Sequence, residues 1–286
     1  MVFCKMKKRL LIFVFCFLHI AAGFAQGYVD ELKAIIRQNK QDSACALAYN
    51  RLVFMVEDYG ILHADTMIEK ALQVSRHSDS KVQTAFALLN KTLAITKSGK
   101  YDTAISIANQ AREILNQTDT SKNSEVMSVY YFTRGMILLP QGSFKEETLA
   151  SFLKALELSK NTDFKYLTAV CYGGVGKAYD YLRQFEHSIN IYKEFLDFAG
   201  KTPVDTLILA KAYNNLGAVY INAGRKATAA QYFNDFEQLL PRLNSPYLLW
   251  LSKNNRAHHL MEDGKYNDAI QNALQAIGIA NANNLS

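Results

Sequence analysis

The amino-acid sequence predicts an all-α protein, a right-handed α-solenoid of about six antiparallel helix pairs. Apolar residues recur at spacings of three and four along almost all of the chain after residue 26. No stretch of appreciable length alternates between polar and apolar residues as a strand would. Two residue positions also recur every 40 to 44 residues, which is typical of stacked helical repeats rather than of one globular core.

The period can be followed through two marker positions, one in the first helix of each pair and one in the second. The first-helix markers are Leu52, Thr92, Gly135, Gly176, Gly217 and Ala257, and the second-helix markers are Ala71, Ala111, Ala155, Phe195, Phe236 and Ala276. Because both series keep the same step, residues 44–286 are predicted to form six repeats of about 41 residues.

Residues 1–25 have the pattern of a secretory signal peptide. Four basic residues between positions 5 and 9 precede an apolar run from Leu10 to Ile20, and small residues at Gly23 and Ala25 favour cleavage before Gln26. A signal anchor that stays in the membrane is the alternative, although the run is short for a span of about 20 residues. We therefore predict export to a periplasmic or other extracytoplasmic location, with no membrane span after cleavage.

Charge and cysteine content argue against several function classes. The net charge of +6 includes four basic residues of the signal, so residues 26–286 carry only +2. Basic and acidic residues are interspersed in this part, and the sequence predicts no nucleic-acid partner. Cys45 and Cys171 are three repeats apart, too far for a disulfide in a solenoid, and are predicted to be small buried hydrophobic residues.

The elements can be placed in order along the chain. A helix from Tyr28 to about Asn39, within residues 26–43, precedes the first repeat and is predicted to cap the stack. Glycine is expected to end a first helix with left-handed backbone at four turns, namely at Gly99, Gly142, Gly224 and Gly264. Proline marks other boundaries. Thr202-Pro203 and Ser245-Pro246 predict an N-cap with proline at the first helical position, and Pro140 and Pro241 follow helices.

Glycine also recurs in the middle of first helices, where it costs about 1 kcal/mol relative to alanine. This placement is explained if the second helix of the pair passes too close for a side chain. The glycines are Gly135, Gly176 and Gly217, and the alanines expected to face them are Ala104, Ala229 and Ala269.

These patterns resemble the tetratricopeptide repeat. The resemblance is carried by the Gly-x-x-Tyr motif of Gly217 to Tyr220, by Gly-Lys-Tyr-x-x-Ala at Gly99 and Gly264, and by Ala-Leu pairs. It covers about residues 44–286, and the period near 41 is similar to that of kinesin light chains and of bacterial signalling regulators. The resemblance implies that the first helices line a concave groove that binds a peptide or protein segment.

Two asparagine pairs, 40 residues apart on first helices, and three basic residues on such helices are the groove candidates. They are Asn214, Asn215, Asn254, Asn255, Lys177, Lys211 and Arg256. Amide side chains can both donate to and accept from the backbone of an extended peptide, and the basic residues could bind an acidic group. The alternative for the asparagines is that they bond along the helix stack or to water.

Two other motifs give weaker indications of function. The glycines of Tyr172–Lys177 lack the earlier glycine and the following Ser or Thr of a phosphate-binding loop. His258-His259 and Glu262-Asp263 form two pairs at a spacing of four, but no third metal ligand is nearby. Since no catalytic constellation is visible, we predict a protein that is not an enzyme and has no cofactor.

The sequence thus favours an exported protein-interaction scaffold that holds a peptide or protein segment in its groove. It could be the sensor region of a signalling regulator, with an output domain beyond Ser286. The main alternative is a structural or assembly adaptor of the cell envelope without a groove ligand. An enzyme on an α/α scaffold is a third hypothesis, which would need an acidic or metal-bearing pocket.

Overall fold

The computed structural model describes residues 27–59, 64–119, 123–142, 145–243 and 245–283. Within these ranges the chain is almost entirely helical, and no strand is found. The helices are α1 (27–37), α2 (Ser43–Tyr59), α3 (Ala64–His77), α4 (Lys81–Lys97), α5 (Tyr101–Asn116), α6 (Ser124–Leu138), α7 (Lys145–Ser159), α8 (Lys165–Tyr181), α9 (Phe185–Ala199), α10 (Thr206–Asn222), α11 (Lys226–Leu239), α12 (Pro246–Glu262) and α13 (Tyr266–Asn283).

The predicted fold class is confirmed. Helices α2 to α13 form six pairs, from α2–α3 to α12–α13, and the two helices of each pair pack on each other. No helix in the described ranges has both the length and the hydropathy that a membrane span needs. The segment predicted as a signal peptide, residues 1–25, lies outside the described residues.

The chain divides into two compact units. Unit 1 ends at Asp205 and contains α1 to α9, and unit 2 begins at Thr206 and contains α10 to α13. In unit 1 each first helix packs on the first helix of the preceding pair, so α4 contacts α2, α6 contacts α4 and α8 contacts α6. In unit 2, α10 packs on α11 and α12 packs on α13, and α12 also contacts α11.

The turns inside the pairs form where the sequence predicts them. Gly99, Gly142, Gly224 and Gly264 all have φ between +70° and +75°, the left-handed conformation that glycine adopts without a steric penalty. The turn between α8 and α9 has no glycine, and Arg183 takes the left-handed conformation there, with φ of +59°. The resulting turns reverse the chain and bring the second helix against the first.

The proline signals are correct at three of four places. Ser245 caps α12, since its Oγ accepts a hydrogen bond from the Leu248 amide at 3.3 Å. Pro140 and Pro241 lie in single 3₁₀ turns that follow α6 and α11. The prediction for Thr202-Pro203 was wrong, because the Thr202 amide still bonds the Phe198 carbonyl at the end of α9. Helix α10 therefore begins only at Thr206.

The mid-helix glycines lie against aromatic rings of the paired helix. A Cβ added at Gly176 would lie 2.5 Å from the Tyr192 ring, and one added at Gly217 would lie 2.7 Å from the Phe233 ring. The predicted close approach is confirmed, but the predicted partners were wrong, because rings and not alanine methyl groups occupy the space. The alanines named for this role were Ala104, Ala229 and Ala269.

Both cysteines in the described part of the chain behave as predicted. Cys45 and Cys171 are buried, and neither takes part in a disulfide. Burial raises the pKa of the Cys171 thiol to about 12, so this side chain stays protonated at neutral pH. Both residues therefore act as small apolar side chains in the core of unit 1.

Candidate functional site

The first helices of unit 1 turn their aromatic side chains toward one another. The Phe54 ring of α2 lies 6.3 Å from Phe86 of α4 and 5.8 Å from Phe132 of α6, measured between ring centroids. It also lies 5.9 Å from Phe164 and 6.1 Å from Tyr166, at the start of α8. These contacts are tilted or edge-to-face, as aromatic pairs prefer. The space between the first helices around Phe54 is thus filled by the chain itself.

An ion cluster around Arg51 closes the same region. The Arg51 guanidinium donates to both carboxylate oxygens of Glu125, at 2.8 and 2.6 Å. It also contacts Asp163 at 2.5 Å and the Tyr28 hydroxyl at 2.9 Å. The Arg51 side chain is only 10% exposed, and it lies 5.1 Å from the centre of the Phe164 ring. One side chain of α2 thereby joins α1, the start of α6 and the turn before α8.

Unit 2 differs, because one side of α12 is left open to solvent. We call this surface the open face of α12. It consists of Tyr247, Trp250, Leu251, Asn254, His258 and Met261, whose spacings of three and four place them on one side of the helix. Tyr247 and Met261 are 49% and 54% exposed, and Asn254 and His258 are exposed as well. The rings of Tyr247 and Trp250 form a pair with centroids 5.7 Å apart.

The opposite side of α12 carries contacts within unit 2, although Leu249 on that side is 41% exposed. Ser252 Oγ lies 3.2 Å from the Glu237 carboxylate of α11, and Arg256 binds the same carboxylate at 2.9 Å. Residues two positions apart point to roughly opposite sides of an α-helix. Asn254 therefore faces away from the side on which Ser252 and Arg256 contact α11.

The structure separates the predicted asparagine candidates into two groups. Asn255 Nδ2 donates to Asn214 Oδ1 at 2.5 Å, and this bond joins α12 to α10. Asn214 is 6% exposed and makes a second, longer contact of 3.5 Å with Asn215. Asn214 and Asn255 thus bond along the helix stack, which is the alternative that the sequence left open, whereas Asn215 contacts its neighbour Asn214 on the same helix. Asn254 is exposed on the open face of α12.

An equivalent amide bridge lies in unit 1 and was missed in the sequence. Asn90 of α4 donates to the Asn50 carbonyl of α2 at 3.0 Å, and Asn50 donates to the Gln83 carbonyl at 3.0 Å. Asn50 and Asn90 are 40 residues apart and precede their markers by two positions, as Asn215 and Asn255 do. That shared step was the signal that could have identified them. The donors of both bridges, Asn90 and Asn255, stand at this position of the repeat.

The predicted basic candidates do not form one cluster. Arg256 is paired with Glu237, which explains why it is not directed to the open face. Lys211 is half-buried on α10 of unit 2, and Lys177 is exposed on α8 of unit 1. A role for either lysine in binding an acidic group stays a prediction.

Tyrosine side chains fill the space between α10 and α11. The Tyr220 and Tyr232 rings stack at 5.3 Å with an angle of 8°, and Tyr213 stacks on Tyr232 at 6.4 Å. Burial, with smaller contributions from Asp235 and Tyr232, raises the pKa of Tyr213 to about 12. Burial also raises the pKa of the Asp235 carboxyl. These rings give unit 2 its apolar interior.

The histidine and acid pairs of α12 do not form a metal centre. His258 lies 3.8 Å from Glu262, and His259 lies 3.9 Å from Asp263. Glu262 instead accepts from Lys226 of α11 at 2.9 Å, and this hydrogen bond is the main reason why its pKa is lowered. Across the described ranges, no group of three or more His, Cys, Asp or Glu side chains is arranged to hold a metal ion.

Helix pairs that repeat with a period near 41 residues, with a packing glycine in the first helix, define a class of protein. The chain has a tetratricopeptide-type helical repeat fold. The tetratricopeptide repeat family model matches residues 210–239, which cover most of α10 and all of α11. No curated protein matches the chain.

Solved structures with the same fold include two Rap proteins. A Rap protein complexed with competence and sporulation factor has a TM-score of 0.64 at 14% identity, over 96% of this chain and 76% of that chain. The apo form of RapI has a TM-score of 0.53 at 13% identity, with the same two coverages. BtubC (BKLC) from P. vanneervenii has a TM-score of 0.52 at 16% identity, over 80% of this chain and 92% of that chain. At these identities the likeness is one of fold.

Proposed function

We propose that the protein is an interaction scaffold that holds a peptide or protein segment against the open face of α12. The observation that carries the proposal is a contrast between first helices. Around Phe54 in unit 1 the aromatic rings pack on one another, whereas α12 directs Tyr247 and Asn254 to solvent. An exposed aromatic group next to an amide is typical of a binding surface rather than of a repeat core.

The chemistry of the open face suits an extended segment. The paired rings of Tyr247 and Trp250 offer a rigid apolar area that loses little conformational entropy on binding. Asn254 follows Trp250 by one helical turn and can donate to and accept from a peptide backbone. The Rap protein of the same fold was solved with competence and sporulation factor bound, which supports a ligand-holding role for this chain.

The test uses the chain's single tryptophan as a reporter. Peptides selected from a random display library on the purified chain are expected to shift the emission of Trp250 when titrated. Replacing Asn254 with alanine should weaken such peptides by about tenfold, because one hydrogen bond in a desolvated contact contributes roughly 1.4 kcal/mol.

Tyr247→Ala provides the second variant, and Tyr181→Ala provides its control. Tyr181 is 47% exposed on α8 of unit 1, close to the 49% of Tyr247. We expect the first change to weaken binding and the second to leave it unchanged. If no selected peptide perturbs Trp250 emission, or if both tyrosine variants weaken binding equally, the open face of α12 is not the site.

An adaptor without a groove ligand is the second candidate function. It is favoured by the Asn255–Asn214 bond, which commits one asparagine of each predicted pair to the helix stack. Under this hypothesis, envelope proteins recovered with the chain would be retained by the Asn254→Ala and Tyr247→Ala variants. Loss of the same proteins from both variants would favour the scaffold with a bound segment.

We also propose that the scaffold is exported and that it serves as the sensor region of a signalling regulator. The basic and apolar pattern of residues 1–25 supports export. Cell fractionation with N-terminal sequencing should find the chain outside the cytoplasm and beginning at Gln26. A cytoplasmic chain that retains residues 1–25 would contradict export, and a stop codon directly after Ser286 would contradict a fused output domain.

A further inference from the structure

Helix α13, the last helix that the structure describes, carries an exposed apolar stripe. Tyr266, Ile270, Leu274 and Ile277 have spacings of four, four and three, so they lie on one side of the helix. They are 65%, 58%, 62% and 55% exposed, whereas Ala269 and Ala276 on the neighbouring side are buried. A contiguous apolar surface of this kind marks an interaction site.

The register of the repeats shows that this stripe occupies the positions where a second helix receives its next neighbour. Positions are counted from the second-helix markers. Leu274 then corresponds to Glu69 of α3, and Tyr266 corresponds to Lys226 of α11. Ile277 corresponds to Arg112 of α5 and to Glu237 of α11. All four of these earlier residues contact the first helix that follows them. The stripe is therefore a surface of the kind that accepts one more helix.

In α3, α5 and α11 some contacts at those positions involve a charged side chain, whereas other residues there, such as Leu72 of α3, are buried and apolar. Glu69 binds Lys91 of α4 at 2.8 Å, and the Arg112 guanidinium lies 5.9 Å from the centre of the Tyr130 ring of α6. On α11, Glu237 and Lys226 form ion pairs with α12, at 2.9 Å in each case. Each of these helices thus selects its neighbour partly through charge.

The stripe on α13 contains no charged residue. Asp268 is the only charged residue of α13, and helical geometry places it on the side away from the stripe. A neighbour with a charged face would find no partner there, and its charges would be desolvated at a cost. The fitting neighbour is a helix with an apolar and uncharged face. The chain itself provides one, because α13 of a second copy has these properties.

We propose that α13 pairs with α13 of a second copy, antiparallel about a two-fold axis. In this arrangement Ile270 of one copy lies against Leu274 of the other, since the midpoint of the stripe falls between them. Four side chains with about half of their surface free offer on the order of 400 Å² per copy, or about 800 Å² in total, which is the size of a weak and transient interface. The dimer should therefore be weak, with a dissociation constant in the micromolar range.

Sedimentation equilibrium of the purified chain tests the pairing, without any peptide ligand. The wild type is expected to show a monomer–dimer equilibrium. Ile270→Glu should raise the dissociation constant by about tenfold or more, because two carboxylates would be buried in an apolar contact. Gln275→Glu, which adds the same charge to another exposed side of α13, is the matched control and should leave the constant unchanged.

Cross-linking tests the antiparallel register. Under mild oxidation, a mixture of Ile270→Cys and Leu274→Cys chains is expected to form covalent dimers that neither variant forms alone, because the antiparallel register brings position 270 of one copy against position 274 of the other. Residues 1–25 are left out of both variants so that Cys4 and Cys16 are absent, and the native Cys45 and Cys171 are buried. If the wild-type chain is still monomeric at a protein concentration of about 100 micromolar, the proposal is overturned. Equal weakening by Ile270→Glu and Gln275→Glu would overturn it too. In either case the stripe would belong to a different partner's helix or to a further segment of a longer chain.

Discussion

Replacing Phe152 with alanine is expected to lower the free energy of unfolding by about 3–5 kcal/mol. The Phe152 ring is fully buried and is wedged between two glycines of neighbouring first helices. A Cβ added at Gly135 of α6 would lie 2.6 Å from the ring, and one added at Gly174 of α8 would lie 2.5 Å from it. Because both helices present only backbone here, little can move in to fill the cavity. Urea denaturation followed by far-UV circular dichroism measures the loss.

The control for this prediction is the effect of Gly135→Ala on the free energy of unfolding, which should have opposite signs with and without the Phe152 ring. In the wild type, Gly135→Ala should destabilise the chain by about 1–3 kcal/mol, because the new methyl group overlaps the Phe152 ring. In a Phe152→Ala background the overlap is gone, and the same change should stabilise the helix by up to about 1 kcal/mol. If Gly135→Ala destabilises both backgrounds equally, the ring is not what requires the glycine.

Removing the Arg51 side chain is expected to have a comparable effect. Arg51→Ala should cost about 3–5 kcal/mol, because it leaves the Glu125 carboxylate without its partner in a largely buried position. The Glu125 side chain is only 15% exposed, and Arg51 supplies two hydrogen bonds to it. Chemical denaturation of the variant and the wild type under the same conditions gives the difference.

Two further variants make the Arg51 result specific. Lys154 and Glu157 form an exposed ion pair on α7, with side chains 44% and 65% exposed, so Lys154→Ala should cost less than about 1 kcal/mol. The double change Arg51→Met with Glu125→Gln should cost less than Arg51→Ala alone, because the carboxylate that remains, Asp163, is 80% exposed and stays hydrated. Equal costs for Arg51→Ala and Lys154→Ala would show that the cluster contributes little.

The local parts of the fold could be predicted because their causes are local. A glycine that ends a helix, as Gly99 and Gly264 do, needs only a left-handed residue between two amphipathic segments. The Ser245 cap depends on an amide three residues later. The Thr202-Pro203 prediction failed because the Thr202 amide bonds back to the Phe198 carbonyl at the end of α9, and α10 begins only at Thr206.

The candidate site could be predicted only to the level of the helix. The 40-residue step drew attention to Asn254 and Asn255 on a first helix. It could not tell which of the two faces solvent, because adjacent residues differ by about 100° around the helix axis. The rotation of α12 on α10 and α11 sends Asn255 to Asn214 and leaves Asn254 open.

By itself, the sequence determined that this protein consists of paired helices in a 41-residue repeat, where its turns fall and which first helices need a glycine. Only the tertiary structure decided which side chains meet: Arg51 with Glu125, 74 residues away, and Phe152 between two glycines. Helices and turns depend on interactions within about four residues of the chain. Contacts between repeats depend on crossing angles and spacings that accumulate over several helix pairs, and no short stretch of sequence encodes that sum.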